Sequence, residues 1–102
     1  MFNVSADIVE YLKEHHKYED TAIKGRDLRV LFNLTDRELR LVVSSLRQNG
    51  EAICSSTSGY WYSEKPADIQ VTISRLEGQV KNMNLTIKGL RQILTGGTED
   101  DQ

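Results

Sequence analysis

The stretch Leu34–Gly50 reads LTDRELRLVVSSLRQNG and contains a complete set of signals for one helix. Thr35 is followed three residues later by Glu38, the spacing of a capping box, in which each side chain accepts a hydrogen bond from the other residue's backbone N–H. Gly50 follows the last periodic residue and supplies the left-handed conformation with which helices commonly end. The sequence therefore predicts a helix from about 35 to 49.

The two faces of this helix differ in chemistry. Apolar residues recur every three to four positions, as expected for a face that packs on a core: Leu39, Val42, Val43 and Leu46. At about 100° per residue, the opposite face carries guanidinium, hydroxyl and amide groups and one leucine: Arg37, Arg40, Leu41, Ser44 and Gln48. We interpret the segment as the recognition helix of a winged helix-turn-helix.

The neighbouring segments fit this interpretation. Ser5 is the predicted N-cap of a first helix, which ends at about Lys17. A second helix is predicted from Arg26 to Asn33. Residues 22–23 are predicted to form a short strand or an extended link between them. After the recognition helix, a polar turn containing Gly separates two β-prone stretches over residues 51–63, which predicts a hairpin. The inward residues of the second helix are predicted to be Leu28, Leu31 and Phe32.

One stretch also carries a family resemblance. Residues 46–53 read LRQNGEAI, and residues 59–62 read GYWY. This pattern resembles biotin-repressor-type winged helices, which continue from the recognition helix through Leu-Arg-x-x-Gly-x-x-Ile and return along the wing through Gly-Tyr. It is also similar to small winged-helix proteins encoded by phages and prophages. The resemblance covers about residues 20–63, implies DNA binding and carries over no ligase activity. It assigns the recognition-helix role to Thr35, Arg37, Arg40, Leu41 and Ser44, and the wing role to Ser55, Ser56, Thr57 and Ser58.

The charge distribution is uneven. The net charge of −2 and the pI near 5.6 argue against a broad nucleic-acid-binding surface. Residues 24–48, however, hold six basic and three acidic side chains. Salt screens interactions between charges that are more than about 8–10 Å apart. This local cluster of basic side chains can therefore bind phosphate even though the protein has a net negative charge. The alternative is that these arginines form only the solvated face of two helices. The predicted wing lacks Lys and Arg. The candidate DNA-binding residues are Lys24, Arg26, Arg29, Thr35, Arg37, Arg40, Leu41, Ser44, Arg47, Gln48, Ser56, Thr57 and Ser58.

A second pattern begins at Pro66, which suits the first position of a helix. Apolar residues then follow at alternating spacings of four and three, a heptad repeat. Branched residues dominate one seam position and unbranched residues the other, which favours a parallel two-stranded coiled coil. The alternatives are a higher bundle and a helix packed on its own domain. The predicted dimerisation residues are Ile69, Ile73, Leu76, Val80, Met83, Ile87, Leu90 and Leu94.

The predicted fold class is therefore mainly α with a minor β part. We expect a winged helix-turn-helix over residues 1–64, a self-associating helix over 65–95 and a disordered acidic tail over 96–102. The sequence shows neither a transmembrane-length apolar run nor a signal-peptide pattern, so a cytoplasmic protein is the default.

No catalytic or metal-binding motif is evident. His15 and His16 are adjacent, but neighbouring side chains on a helix diverge too far to bind one ion easily. Cys54 is alone and cannot form an internal disulfide. We expect no enzymatic activity, metal or cofactor.

Two functions remain. The first is a DNA-binding protein, a small transcriptional regulator or phage replication accessory, that reads the major groove of double-stranded DNA as a dimer. The second is a protein-interaction module on a winged-helix scaffold, for example a phage-encoded protein that binds a host factor. The acidic balance, the uncharged wing and the exposed Leu41 support the second.

Overall fold

The computed structural model describes residues 3–96 and is mainly helical, with a small antiparallel sheet. The predicted acidic tail, apart from Gly96, lies outside the described residues. In chain order the elements are helix α1 (Val4–His15), a 3₁₀ turn (Glu19–Thr21), helices α2 (Gly25–Leu31) and α3 (Asp36–Gln48), strands β1 (Ile53–Ser56) and β2 (Gly59–Tyr62), and helix α4 (Pro66–Leu94).

The chain forms two compact units, one up to Thr72 and one from Ile73 onwards. The first unit extends past the predicted boundary at residue 64 because the start of α4 is hydrogen-bonded to the hairpin. The indole N–H of Trp61 donates to Asp68 Oδ2 at 3.3 Å. The backbone N–H of Ser55 donates to Thr72 Oγ1 at 3.1 Å. These bonds join both strands to the first turns of α4.

The core of the first unit draws on all three N-terminal helices and on β1. The apolar face predicted for α3 is confirmed, with Leu39, Val43 and Leu46 buried and Val42 half-buried. Burial of such side chains is the main favourable contribution to folding, at about 1.5–3 kcal/mol each. The buried cluster consists of Ile8, Val9, Leu12, Ile23, Leu28, Leu39, Val43, Leu46 and Ile53.

The start of α1 differs from the prediction. Asn3 caps the helix, and its Oδ1 accepts a hydrogen bond from the N–H of Ala6 at 3.2 Å. Ser5 lies inside the first turn instead of preceding it. Asn and Ser are both strong N-cap residues, so the local sequence offered two nearby starts, and the helix begins at the earlier one.

The end of α2 also differs. The helix stops at Leu31, and Asn33 adopts a left-handed conformation with φ of 55°. The N–H of Asn33 bonds to Val30 O at 3.2 Å and that of Leu34 to Arg29 O at 2.8 Å, the Schellman arrangement. Leu31, the last residue of α2, is exposed, so its predicted inward orientation is wrong. Leu28 is buried and Phe32 half-buried, as predicted.

The hairpin is closed by Thr57 and Ser58, with Ser56 paired to Gly59. The outer edge of β2 forms a bridge to Ile23, whose N–H and C=O bond to the backbone of Tyr60 at 2.9 and 2.8 Å. This bridge confirms the short extended segment predicted at 22–23. The sheet therefore connects the α1–α2 link to the segment that follows α3.

Both faces of the hairpin are covered. Tyr60 and Tyr62 are half-buried against the core cluster, and Trp61, whose side chain alternates to the other face, is completely buried. The two tyrosines pack on the core, and Trp61 is bonded to Asp68 of α4, so neither face is available for stacking on bases.

Helix α4 begins at Pro66, as predicted. From Ile73 to Leu94 every residue is exposed, including every apolar residue of the predicted seam in that range. Ile69, the first predicted seam residue, is half-buried within the first unit. Over residues 3–96, no helix has both the length and the apolar character needed to cross a membrane.

The hydrogen bonds that the Asp68 carboxylate accepts make the stability of the first unit depend on pH. A hydrogen bond from the Ser63 hydroxyl, with smaller contributions from Trp61 and the charge of Lys65, lowers the pKa of Asp68 below its ordinary 3.8. A carboxyl with a lowered pKa in the folded state stabilises that state above pH 3.8, and the contribution is lost as the pH falls through the folded pKa. The Asp68→Asn variant should therefore be less stable than wild type at neutral pH.

The difference should shrink on acidification, because Asn resembles a protonated Asp. Urea unfolding followed by the fluorescence of Trp61, the single Trp, measures both proteins at each pH. A stability difference that stays constant from neutral pH to pH 3 would contradict this account of Asp68.

Candidate nucleic-acid interface

Helix α3 is held at both ends by local hydrogen bonds. Glu38 N–H donates to Thr35 Oγ1 at 3.1 Å, and Thr35 N–H donates to Glu38 Oε1 at 2.8 Å, which confirms the predicted capping box. At the other end, Gly50 has φ of 91°, and its N–H bonds to Arg47 O at 3.0 Å. Glu51 N–H bonds to Leu46 O at 3.0 Å and completes a Schellman motif.

The outward face of α3 is formed as the periodicity predicted. Each of its five side chains is exposed, and the leucine in the middle of the face is 58% exposed. We call this surface the α3 face; it consists of Arg37, Arg40, Leu41, Ser44 and Gln48. It combines two guanidinium groups, two hydrogen-bonding side chains and one apolar group.

The polar groups of the α3 face make weak contacts with each other and with the helix. Arg40 Nη1 lies 3.1 Å from Asp36 Oδ2, one turn earlier, and both side chains are largely exposed. Gln48 Nε2 donates to Ser44 Oγ at 3.3 Å. Exposed pairs of this kind contribute at most about 1 kcal/mol. A ligand can therefore replace either contact at low cost.

Arg47, predicted to contact DNA, is hydrogen-bonded to the hairpin. Its Nε donates to Ile53 O at 2.8 Å, its Nη2 donates to Ser55 Oγ at 3.0 Å, and the side chain is half-buried. These bonds connect the last turn of α3 to β1. We therefore reassign Arg47 from contacting DNA to positioning the hairpin beside α3.

Two carboxylates lie in the first turn of α3. The backbone N–H of Thr35, a residue to which the resemblance assigns a recognition-helix role, donates a hydrogen bond to the Glu38 carboxylate. Asp36 lies in the same turn. Carboxylates at this end stabilise the helix through its dipole, and they also compete with an incoming phosphate. The position of Thr35 thus favours a structural role.

The hairpin tip is tethered from two sides. Ser56 Oγ donates to Glu19 Oε2 at 2.8 Å and accepts a hydrogen bond from Ser58 N–H at 3.0 Å. Lys24 Nζ donates to the carbonyl oxygen of Thr57 at 2.9 Å. The tip, which has no basic residue of its own, thus acquires the ammonium group of Lys24 and the carboxylate of Glu19. Sequence analysis missed both partners because they lie far away along the chain.

The remaining candidates lie on α2, where Arg26 is exposed and Arg29 half-buried. The structure thus brings the outward residues of α3 together on one face and Lys24 together with the hairpin tip.

Comparisons of the chain with models of known families, with characterised proteins and with solved structures give no match. The resemblance to biotin-repressor-type domains therefore rests on the residues quoted above.

The two histidines and the cysteine contact neighbouring groups of the fold. The rings of Tyr11 and His15 have centroids 4.8 Å apart, and His16 Nδ1 is hydrogen-bonded to Thr21 O. Cys54 is buried, and burial raises the pKa of its thiol, which keeps it protonated. Within residues 3–96, no group of three His, Cys, Asp or Glu side chains is arranged to hold a metal ion.

Proposed function

We propose that the chain is a DNA-binding protein of the winged helix-turn-helix type, acting in the cytoplasm, in which α3 enters the major groove of double-stranded DNA. The observation that carries the proposal is the α3 face: a polar, arginine-bearing surface on a helix fixed at both ends. An α-helix fits the width of the major groove. The tight turn at Asn33 and the hairpin bridged to Ile23 support the same architecture.

The exposed groups supply the chemistry for reading bases. Arg37 and Arg40 can donate paired hydrogen bonds to the O6 and N7 atoms of guanine, and Leu41 can contact a thymine methyl group. Ser44 and Gln48 add polar contacts to base edges. These side chains would determine sequence preference.

Other groups would position the duplex without reading it. Lys24, bonded to the Thr57 carbonyl, brings a positive charge to the hairpin tip, where the hydroxyls of Thr57 and Ser58 are also exposed. Arg26 and Arg29 are available on α2. Glu19 and Glu38 reduce the local positive potential, so we expect contacts to only about four phosphates. The logarithm of the affinity should then fall with the logarithm of salt concentration with a slope of roughly −3 to −4.

A protein partner for the α3 face is the second candidate. Leu41, in the middle of the face, is exposed, and so are Val30 and Leu31 at the end of α2. Exposed apolar groups near arginine are typical of protein interfaces. The carboxylates at the N-terminus of α3 and at the hairpin tip are also better suited to a protein than to DNA.

The Arg40→Ala variant tests the DNA-binding function. On a site selected from a random duplex library, we expect it to lose about 1–3 kcal/mol of specific affinity and much less affinity for unrelated duplexes. Arg75→Ala, which removes an exposed arginine of α4, is the matched control and should bind like wild type. Fluorescence anisotropy over a range of salt concentrations measures all three proteins.

Two results would contradict the proposal. An equal loss on all duplexes would remove the base-reading role of Arg40. If wild type does not bind any duplex even at low salt, DNA binding is wrong and the protein-partner function is favoured.

A further inference from the structure

The seam of α4 leaves a long apolar surface exposed. We define the α4 seam as the residues of the heptad pattern from Ile73 onwards: Ile73, Leu76, Val80, Met83, Ile87, Leu90 and Leu94. All are exposed, and Leu90, for example, is 59% exposed. A contiguous apolar stripe of this length on a soluble surface marks an interaction site.

The regularity of the stripe restricts what can cover it. A straight helix repeats every 3.6 residues, whereas the seam repeats every seven without interruption, which matches a supercoiled partner helix with the same repeat. A second copy of α4 has this repeat by construction. A flat or irregular surface would contact only part of the seam.

The charges beside the seam permit self-pairing. From Ile73 onwards, the flanking positions carry one negative and one positive side chain, Glu77 and Arg91. In a parallel pair, Gln79 would face Asn84 of the second copy, and Thr86 would face Arg91. Neither pair places like charges together, so no electrostatic repulsion opposes association.

The type of seam residue favours the parallel orientation. Ile73, Val80 and Ile87 are branched at Cβ and occupy one seam position, while Leu76, Met83 and Leu90 occupy the other. This arrangement favours two parallel strands over trimers and tetramers.

The glycines of α4 lie away from the seam. A Cβ added at Gly78 or Gly89 would meet no atom within 4 Å, and both positions fall on the side opposite the apolar stripe. Each glycine lowers helix stability by about 1 kcal/mol relative to Ala. Formation of this helix is therefore expected to be coupled to pairing.

We propose that the α4 seam binds the α4 seam of a second copy of this chain as a parallel two-stranded coiled coil. The inference goes beyond the proposed DNA-binding function, because pairing requires no DNA. Where both hold, two α3 helices would read two half-sites.

A matched pair of variants of the full chain tests the interface. Leu85 is 58% exposed but lies outside the seam, whereas Leu90 has nearly the same exposure and lies within it. Glu has a helix propensity close to that of Leu, so Leu85→Glu and Leu90→Glu differ mainly in heptad position. Sedimentation equilibrium should give a dimer for wild type and for Leu85→Glu. The dimer Kd of Leu90→Glu should rise about 100-fold or more, since pairing would bury two carboxylates together.

Two further measurements keep the test decisive. Trp61 fluorescence should be the same in all three proteins, which separates lost pairing from lost folding of the first unit. Gly78→Ala should tighten the dimer by roughly 30-fold, because it strengthens each of the two helices by about 1 kcal/mol outside the interface. A monomeric wild type, a trimer or tetramer, or equal effects of the two glutamates would overturn the proposal.

Cysteine cross-linking tests the orientation. In a parallel pair, position 90 lies beside itself, and a Leu90→Cys variant should form a disulfide-linked dimer on mild oxidation. Wild type, whose Cys54 is buried, is the control and should not cross-link. An antiparallel pair would place position 90 opposite position 73. Cross-linking only when Leu90→Cys and Ile73→Cys chains are mixed would therefore overturn the parallel arrangement. These experiments contain no DNA, so their failure would leave the DNA-binding proposal to be tested separately.

Discussion

The Gly59→Ala variant is expected to lose about 3 kcal/mol or more of the free energy of unfolding of the first unit. Gly59 has φ of 126°, a conformation that costs a residue with a Cβ about 1–3 kcal/mol. In addition, a Cβ at this position would lie 2.3 Å from the carbonyl oxygen of Ile23. Because that atom is backbone, the bridge between Ile23 and Tyr60, with its two hydrogen bonds, must open. Small domains have a total stability of about 5–15 kcal/mol, so this loss is a large fraction.

Gly50→Ala is the matched control for this prediction. Gly50 also has a positive φ, of 91°, but a Cβ there would meet no atom within 4 Å. Its replacement should cost only the conformational penalty, about 1–2 kcal/mol. Urea unfolding monitored by Trp61 fluorescence compares the two variants. Equal losses would show that the close approach of Gly59 to Ile23 does not constrain the fold.

The two glycines show which features the sequence can predict and which it cannot. Both were identified as turn residues from their neighbours in the chain, and both have positive φ. The close approach of Gly59 to Ile23, however, joins two segments that are distant in sequence, and no local pattern in either segment predicts this contact. Gly59 also belongs to the Gly-Tyr pattern of the family resemblance, and the structure gives a packing reason for that glycine.

A helix end could be predicted from the sequence where nearby residues specify it without an equally good alternative. The limits of α3 were predicted because Thr35, Glu38 and Gly50 specify them within a few residues. The start of α1 was not, because Asn3 and Ser5 both suit an N-cap. The end of α2 was placed too late because the left-handed conformation of Asn33 is optional for Asn, whereas Gly adopts it readily.

The residues of the candidate site also differ in whether the sequence could predict their positions. The residues of the α3 face follow from periodicity alone. The functions of Arg47 and Glu19 do not, because they depend on bonds to the hairpin. Arg47, predicted to contact DNA, hydrogen-bonds to β1, and the carboxylate of Glu19 lies at the tip, where the sequence indicated hydroxyl groups alone.

Leu39→Ala is the second variant expected to have a large effect. Leu39 is 1% exposed in the core, and truncation of a buried leucine typically costs 2–5 kcal/mol. Leu41, two residues further along the same helix, is the matched control. Since Leu41 is mostly exposed, Leu41→Ala should change the free energy of unfolding by no more than about 0.5 kcal/mol. Urea unfolding measures both, and similar losses would mean that the two faces of α3 are not assigned correctly.

The same pair of variants then separates the two proposed functions. If α3 reads DNA, Leu41→Ala should weaken binding chiefly at sites with a thymine opposite Leu41 and leave other duplexes nearly unaffected. If the α3 face binds a protein, Leu41 lies at its centre, where truncation of an apolar anchor can cost 2 kcal/mol or more. Because the fold is unchanged in Leu41→Ala, either loss would come from recognition. Leu39→Ala would weaken binding to every partner by lowering the folded fraction.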